Sequence, residues 1–142
     1  TYRIASLHKE CFRPQSEEVN TSALVNAMKR GATDIIGHPD DPTFAVNFHT
    51  LTDAAQNYGV ALEVNAAGIA SDGYRKRNPE GLVEMLCLCK KKGVYITLGS
   101  DSHGKDRIAD FEDIYKVLSA AEFPNELVLN YHPDLFFEFV RR

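Results

Sequence analysis

Three histidines and an aspartate, His8, His38, His103 and Asp101, carry the strongest chemical signal in this sequence. Each follows closely on a short apolar run that reads as a β-strand: Arg3 to Leu7 before His8, Thr33 to Ile36 before His38, Val94 to Leu98 before Asp101 and His103. A further run, Val60 to Val64, contains Glu63 and leads into Asn65, which places both near the same rim. In α/β folds built on parallel strands, binding sites form at the carboxyl ends of the strands. Imidazole and carboxylate together suit Zn²⁺, Mn²⁺ or Fe. One histidine after a strand is commonly a loop residue with an ordinary hydrogen bond. Four such residues at the same end of successive strands argue for a shared site.

Other residues of chemical interest are placed differently. His49 falls in the first turn of a predicted helix and His132 at the approach to the last one, so both read as capping or surface residues. Arg13 and the run Arg75-Lys76-Arg77 follow the first and third strands on the same rim. Guanidinium forks match phosphate oxygens, which makes Arg13, Arg75 and Arg77 candidates for holding a phosphorylated substrate. The alternative is a solvated surface run. Cys87 and Cys89 lie two residues apart on a helix and so point about 200° away from each other. They read as buried structural thiols rather than ligands of one ion.

The elements that must position these residues alternate regularly. After the first strand, Asn20 or Thr21 is expected to cap a helix with Leu24, Ala27 and Met28 on its apolar face. A second helix, starting near Asn47, presents Leu51, Ala54, Ala55 and Tyr58. A third, announced by Asn78-Pro79, presents Leu82, Met85, Leu86 and Cys89. Gly31, Gly59 and Gly93 each stand between a helix and the next strand, where a left-handed residue is wanted. Two further helices carry Phe111, Ile114, Val117, Leu118 and Ala121, then Leu135, Phe136, Phe139 and Val140 after Pro133. This strand–helix rhythm predicts an α/β fold of four parallel strands alternating with helices, with residues 1–142 forming one unit.

Composition narrows the function classes. The 142 residues suffice for a real core, and 44% hydrophobic with 25% charged residues excludes disordered and coiled-coil classes. No apolar run approaches the roughly 18 residues needed to span a bilayer. A net charge of −4 with scattered basic residues argues against tight nucleic-acid binding. The odd cysteine count, Cys11, Cys87 and Cys89, fits a reducing, cytoplasmic compartment rather than a disulfide scaffold. The strand that opens the chain, without cap or linker before it, reads as a cut inside a larger fold.

Three segments resemble the PHP (polymerase and histidinol phosphatase) family. Ile36-Gly37-His38-Pro39 is similar to its "ISHP"-type strand end, Ala61-Leu62-Glu63-Val64-Asn65 to its "LEIN" segment, and Gly99-Ser100-Asp101-Ser102-His103 to its "GSDSH" motif. Leu7-His8-Lys9-Glu10, Phe123-Pro124 and Leu129-Asn130 fit in order, so the resemblance covers essentially the whole chain. The bacterial PHP phosphoesterases related to histidinol phosphatase are the nearest in character. The resemblance implies the C-terminal part of a distorted (β/α)7 TIM-like barrel with a trinuclear metal centre, zinc first and manganese or iron as alternatives. It implies His8, His38, Asp101 and His103 as metal ligands, with Asp101 and His103 catalytic. The family's "HxHT"-type first motif, further histidines and bridging glutamate have no counterpart here, so the N-terminal half of the domain becomes an expected partner.

For the intact protein the expectation is hydrolysis of a small phosphate monoester by metal-activated water, and for this chain alone little or no catalysis. The rivals are a PHP nuclease, an amidohydrolase-type metal hydrolase, and a non-catalytic binding or regulatory module on the same shell. Open strand edges would allow oligomers.

Overall fold

Period-two alternation of side chains decides how this chain divides into layers. The computed structural model describes residues 1–70 and 77–140, so Arg75, proposed above for substrate, lies outside the described residues. Strands β1 (Ile4–Ala5), β2 (Ile35–Ile36), β3 (Ala61–Asn65) and β4 (Ile96–Gly99) form one parallel sheet in the order β1-β2-β3-β4. Register pairs Ile4 with Ile35, Ile35 with Ala61, and Leu62 with Ile96. Parallel neighbours need a crossover. Helices α1 (Glu17–Lys29), α2 (Phe48–Tyr58) and α4 (Pro79–Lys92) supply them, with the short α3 (Ala66–Ile69) following β3 directly. Helices α5 (Glu112–Ala120) and α6 (Pro133–Phe139) complete the set.

One face of the sheet carries Ile36, Leu62, Val64, Ile96 and Leu98, all packed in a core with Leu24, Met28, Leu51, Met85, Leu86 and Ile114 of the helices. The residues between them point the other way. There Ile35 and Ala61 pack on Leu129, Phe139 and Val140, so α6 covers the lower part of the second face. Glu63, Thr97 and Gly99 stand on that face nearer the carboxyl ends, lining a 340 Å³ hollow with Tyr2, Ile4 and Phe137.

The helix ends follow from local chemistry. Asn47 caps α2 by accepting from the Thr50 N–H at 2.9 Å, and Asn78 caps α4 by accepting from Gly81 N–H at 3.1 Å. Both helices stop at glycines with φ of 63° and 66°, Gly59 and Gly93, as the spacing predicts. Lys90, Lys91 and Lys92 sit in the last turn of α4, where the helix dipole favours positive charge.

Several expectations are corrected. The cap of α1 is Ser16, not Asn20 or Thr21. Those two are buried inside the helix, where Asn20 bonds Gln15 and Ala45 carbonyls and Thr21 Oγ1 takes the Asn47 N–H at 2.9 Å. They fasten α1 to the loops around it rather than starting it. Tyr58 is exposed rather than packed, and so is Cys87. Cys89, on the opposite side of α4, is buried, and burial pushes its thiol up to about 12. The strands are also shorter than their apolar runs: β2 ends at Ile36 as expected but begins only at Ile35, leaving Thr33 and Asp34 outside it, and beyond its end the backbone turns left-handed at His38, with φ of 32°.

Two side chains stand in for missing strand neighbours. The Asp34 carboxylate accepts from the Arg3 N–H at 2.7 Å and pins the start of β1 against β2. Asn130 grips the outer edge of β4, accepting from Leu98 N–H at 2.7 Å and donating to Leu98 O at 3.0 Å. That grip lies just before the loop carrying Asp101 and His103.

Candidate functional site

All the strand-end residues singled out by sequence do fall on the carboxyl rim, and a chain of short contacts links them from β1 to β4. His8 follows β1 and His38 follows β2; their rings meet edge to face at 84°, with Nε2 to Nε2 at 3.3 Å. Ser6 Oγ lies 2.9 Å from His8 Nε2. For that cluster to be attractive, one of the two imidazole nitrogens must offer a lone pair. His38 is buried and His8 exposed, so the pair spans the boundary between core and solvent.

Glu63 joins this pair to the next strand. Its Oε2 accepts from the His38 backbone N–H at 2.7 Å and from Asn65 Nδ2 at 3.2 Å. Asn65 Nδ2 also points at Asp101 Oδ2, 3.4 Å away, while Asn65 Oδ1 accepts from Ala67 N–H at 3.0 Å and caps α3. The amide orientation is therefore dictated: its acceptor serves the helix and its donor serves two carboxylates. Asp101 Oδ1 lies 3.9 Å from His103 Nε2, and His103 is open to solvent. A methyl at position 99 would lie 2.8 Å from Glu63 Cδ and overlap the carboxylate, so any residue larger than glycine there must displace the Glu63 side chain.

The donors divide into two pairs. Two imidazoles on one tetrahedral zinc, at ~2.0–2.1 Å each, hold their nitrogens ~3.3–3.4 Å apart. The His8–His38 separation of 3.3 Å fits that spacing. The Asp101–His103 separation is wider, and among the described residues no group of three His, Cys, Asp or Glu side chains converges on one point. By that spacing the imidazole pair suits one ion, as an incomplete set of ligands, and the carboxylate–imidazole pair does not.

A cleft of about 220 Å³ opens next to the second pair, between α3 and the start of α5. Asp101, His103, Arg107, Asp110 and Asp113 line it, with alanines of α3 as its apolar wall. Sequence reasoning missed Arg107, Asp110 and Asp113, which carry no motif. It also missed Asp40, whose buried side chain lies beside α3, 3.7 Å from where a Gly68 methyl would sit. Arg13 and Arg77 are exposed and line no part of this cleft. His49 is exposed on α2, and His132 Nε2 meets the Asn125 carbonyl at 3.1 Å, both away from the rim.

Among the described residues no helix is long and apolar enough to cross a membrane. No known family model matches the chain. It is 38% identical over 138 residues to a "Probable phosphatase" of Caldicellulosiruptor saccharolyticus, covering 97% of this chain and 56% of that protein. A "Probable phosphatase" of Clostridium acetobutylicum is 34% identical over 140 residues, 99% of this chain and 57% of that one. One of Tolumonas auensis is 32% identical over 137 residues, 96% and 55%. Its relatives are named phosphatases. The chain spans just over half the length of these curated relatives.

Proposed function

We propose that the intact protein is a divalent-metal-dependent phosphoesterase of the PHP type, and that this chain forms four strands of its TIM-like barrel. The observation that carries the reading is the His8–His38 nitrogen separation of 3.3 Å, on neighbouring strand ends and tied through Glu63 and Asn65 to Asp101. Likeness to proteins named phosphatases points the same way.

His8 and His38 would hold an ion through Nε2, with Asp101 and His103 contributing beside them. A bound divalent ion supplies Lewis acidity at the phosphoryl oxygens and makes a nearby water more acidic. The chain's own residues do the rest. Glu63 fixes the His38 backbone, and Asn65 holds the carboxylates of Glu63 and Asp101 at a set distance, so the rim is oriented before substrate arrives. Asp101 would help hold the ion and accept a proton from the attacking water. His103, solvent-exposed and 3.9 Å from Asp101, would ligate as a neutral imidazole, so the proton taken up by Asp101 would reach the departing alkoxide through solvent.

The test is metal content by elemental mass spectrometry together with p-nitrophenyl phosphate hydrolysis, on the full-length protein and on a His38→Ala/Asp101→Ala variant. The expected result is bound zinc, manganese or iron with hydrolysis in the first, and both sharply reduced in the second. The 142-residue chain alone is expected to hydrolyse little. A full-length protein that binds no metal and cleaves no ester would overturn the reading and favour a binding module.

A further inference from the structure

Asp101 stands two residues beyond the end of β4, so its carboxylate is placed only as well as the strand that delivers it. The inner edge of β4 is held by β3, in a register that runs from Leu62–Ile96 to Asn65–Gly99. Among the described residues β4 is the last strand of the sheet. Its outer edge meets a single parallel bridge, Ile96 to Val128, and then the side chain of Asn130.

A primary amide offers the same kinds of donor and acceptor as a peptide group. Asn130 spends both on one residue: Oδ1 accepts from the Leu98 N–H at 2.7 Å, and Nδ2 donates to Leu98 O at 3.0 Å. Leu98 lies two residues past Ile96 and Asn130 two past Val128, so the amide continues the ladder in the register of the bridge. Leu98 is buried, and without that amide both of its outward backbone groups would lose their partner away from bulk water. Asn130 is itself anchored: Leu129 before it is fully buried, and the Tyr131 and His132 N–H groups donate to Val128 O and Leu129 O, each at 3.0 Å.

Beyond Leu98 comes Gly99, against which the Glu63 carboxylate lies, and then Asp101 at φ of 46°. A slip of this strand end therefore moves Asp101 and the seat of Glu63 together. Resting on the phosphoesterase reading above, we infer that Asn130 is a positioning residue of the site, acting through Leu98 to hold Asp101 in register with Asn65 and Glu63.

The test uses the full-length protein with p-nitrophenyl phosphate, at a temperature well below the melting of every variant. Asn130→Ala is expected to lower kcat about tenfold or more with KM changed far less. A residue that serves stability alone leaves kcat untouched once the protein is folded. In an Asp101→Asn background, Asn130→Ala should lower kcat no further, as a residue acting through Asp101 must. With metal chelated, amide hydrogen exchange should quicken over residues 98–103 and stay unchanged in β2. Asn130→Asp keeps the acceptor for the Leu98 N–H and drops the donor, so its loss of kcat should be smaller; it carries the test should Asn130→Ala fail to fold. If the parent hydrolyses ester and the folded variants keep its kcat, the Asn130 assignment is wrong and the phosphoesterase reading survives. An equal loss of kcat with and without the Asp101 carboxylate also sinks the assignment. A parent that hydrolyses no ester removes both.

Discussion

The two rims of the sheet need the same unusual backbone and obtain it from different residues. Where helices run into strands, the left-handed positions are glycines: Gly59 before β3 and Gly93 before β4, with φ of 63° and 66°. Where strands run out into the site, they are His38 and Asp101, with φ of 32° and 46°. Glycine adopts that region without steric penalty, whereas an L side chain there costs on the order of 1–2 kcal/mol. Ala109 and Glu122, in the turns flanking α5, share the geometry. What distinguishes His38 and Asp101 is that each ends a strand and each is bound through the Glu63–Asn65 bridge. The amino rim uses the cheapest residue for a turn; the carboxyl rim accepts strain in order to present an imidazole and a carboxylate.

That contrast can be broken most forcefully at Asp101. Asp101→Gly relieves the backbone while deleting the carboxylate. Activity of the full-length protein should fall on the order of a thousandfold, while stability stays level or rises by up to about 1 kcal/mol. Steady-state kinetics and a urea midpoint measure both. A variant that loses activity and several kcal/mol together would mean that Asp101 is holding the fold rather than the chemistry.

Next in size is Gly99→Ala, which acts on the site without touching a strand-end histidine or Asp101. The added methyl displaces the Glu63 carboxylate, and with it the bonds to His38 N–H and Asn65. Loss of such an orienting partner typically costs 10–100-fold in metal affinity or activity. Combining the change with Glu63→Ala should recover nothing in activity but restore stability, since the clash is then gone. If Gly99→Ala leaves activity intact, the Glu63 bridge does not orient the rim.

The amino rim should answer in stability alone. A methyl on Gly93 meets nothing within 4 Å, so the only penalty of Gly93→Ala is its φ of 66°. About 1 kcal/mol of stability should be lost with kcat unchanged, and Gly93→Asn should cost less, because asparagine tolerates the left-handed region. A drop in kcat for either would show that the two rims are coupled.

The rims also differed in how readable they were. Caps and stops of α2 and α4 depend on Asn47, Asn78, Gly59 and Gly93, each acting within a few residues, and such local chemistry is visible along the sequence. The start of α1 was misread because Asn20 and Thr21 are cap-type residues whose partners, Ala45 and Asn47, come from a distant loop. Strand lengths were overread because Val60 and Val94 are buried without lying in a strand. At the site, the strand-end placement of His8, His38, Asp101 and His103 was legible from the alternation of elements. Arg107 and Asp110 were not, since nothing in a turn of charged residues tells which one faces a cleft. Nor was the grip of Asn130 on Leu98, which exists only once the chain has folded back beside β4.

The smallest effect belongs to the fastener between β1 and β2 at the amino rim. Burial pushes the Asp34 carboxyl up, but hydrogen bonds from the Arg3 side chain and backbone N–H, with the arginine's charge, hold it below the usual carboxylate value overall. A carboxyl whose pKa is lower folded than unfolded stabilises the fold above the unfolded value, near 4, and loses that contribution as pH falls through the folded one. Because the Arg3 guanidinium is half in solvent, screening keeps the contribution small. Asp34→Asn should therefore lower Tm by about two degrees at pH 7, and the gap should close as both proteins are titrated toward pH 3. Kinetic constants should not move, because Asp34 lies at the end of the sheet away from the site. A gap that persists unchanged at pH 3 would mean that Asp34 contributes through the geometry of its acceptor oxygens rather than through its charge.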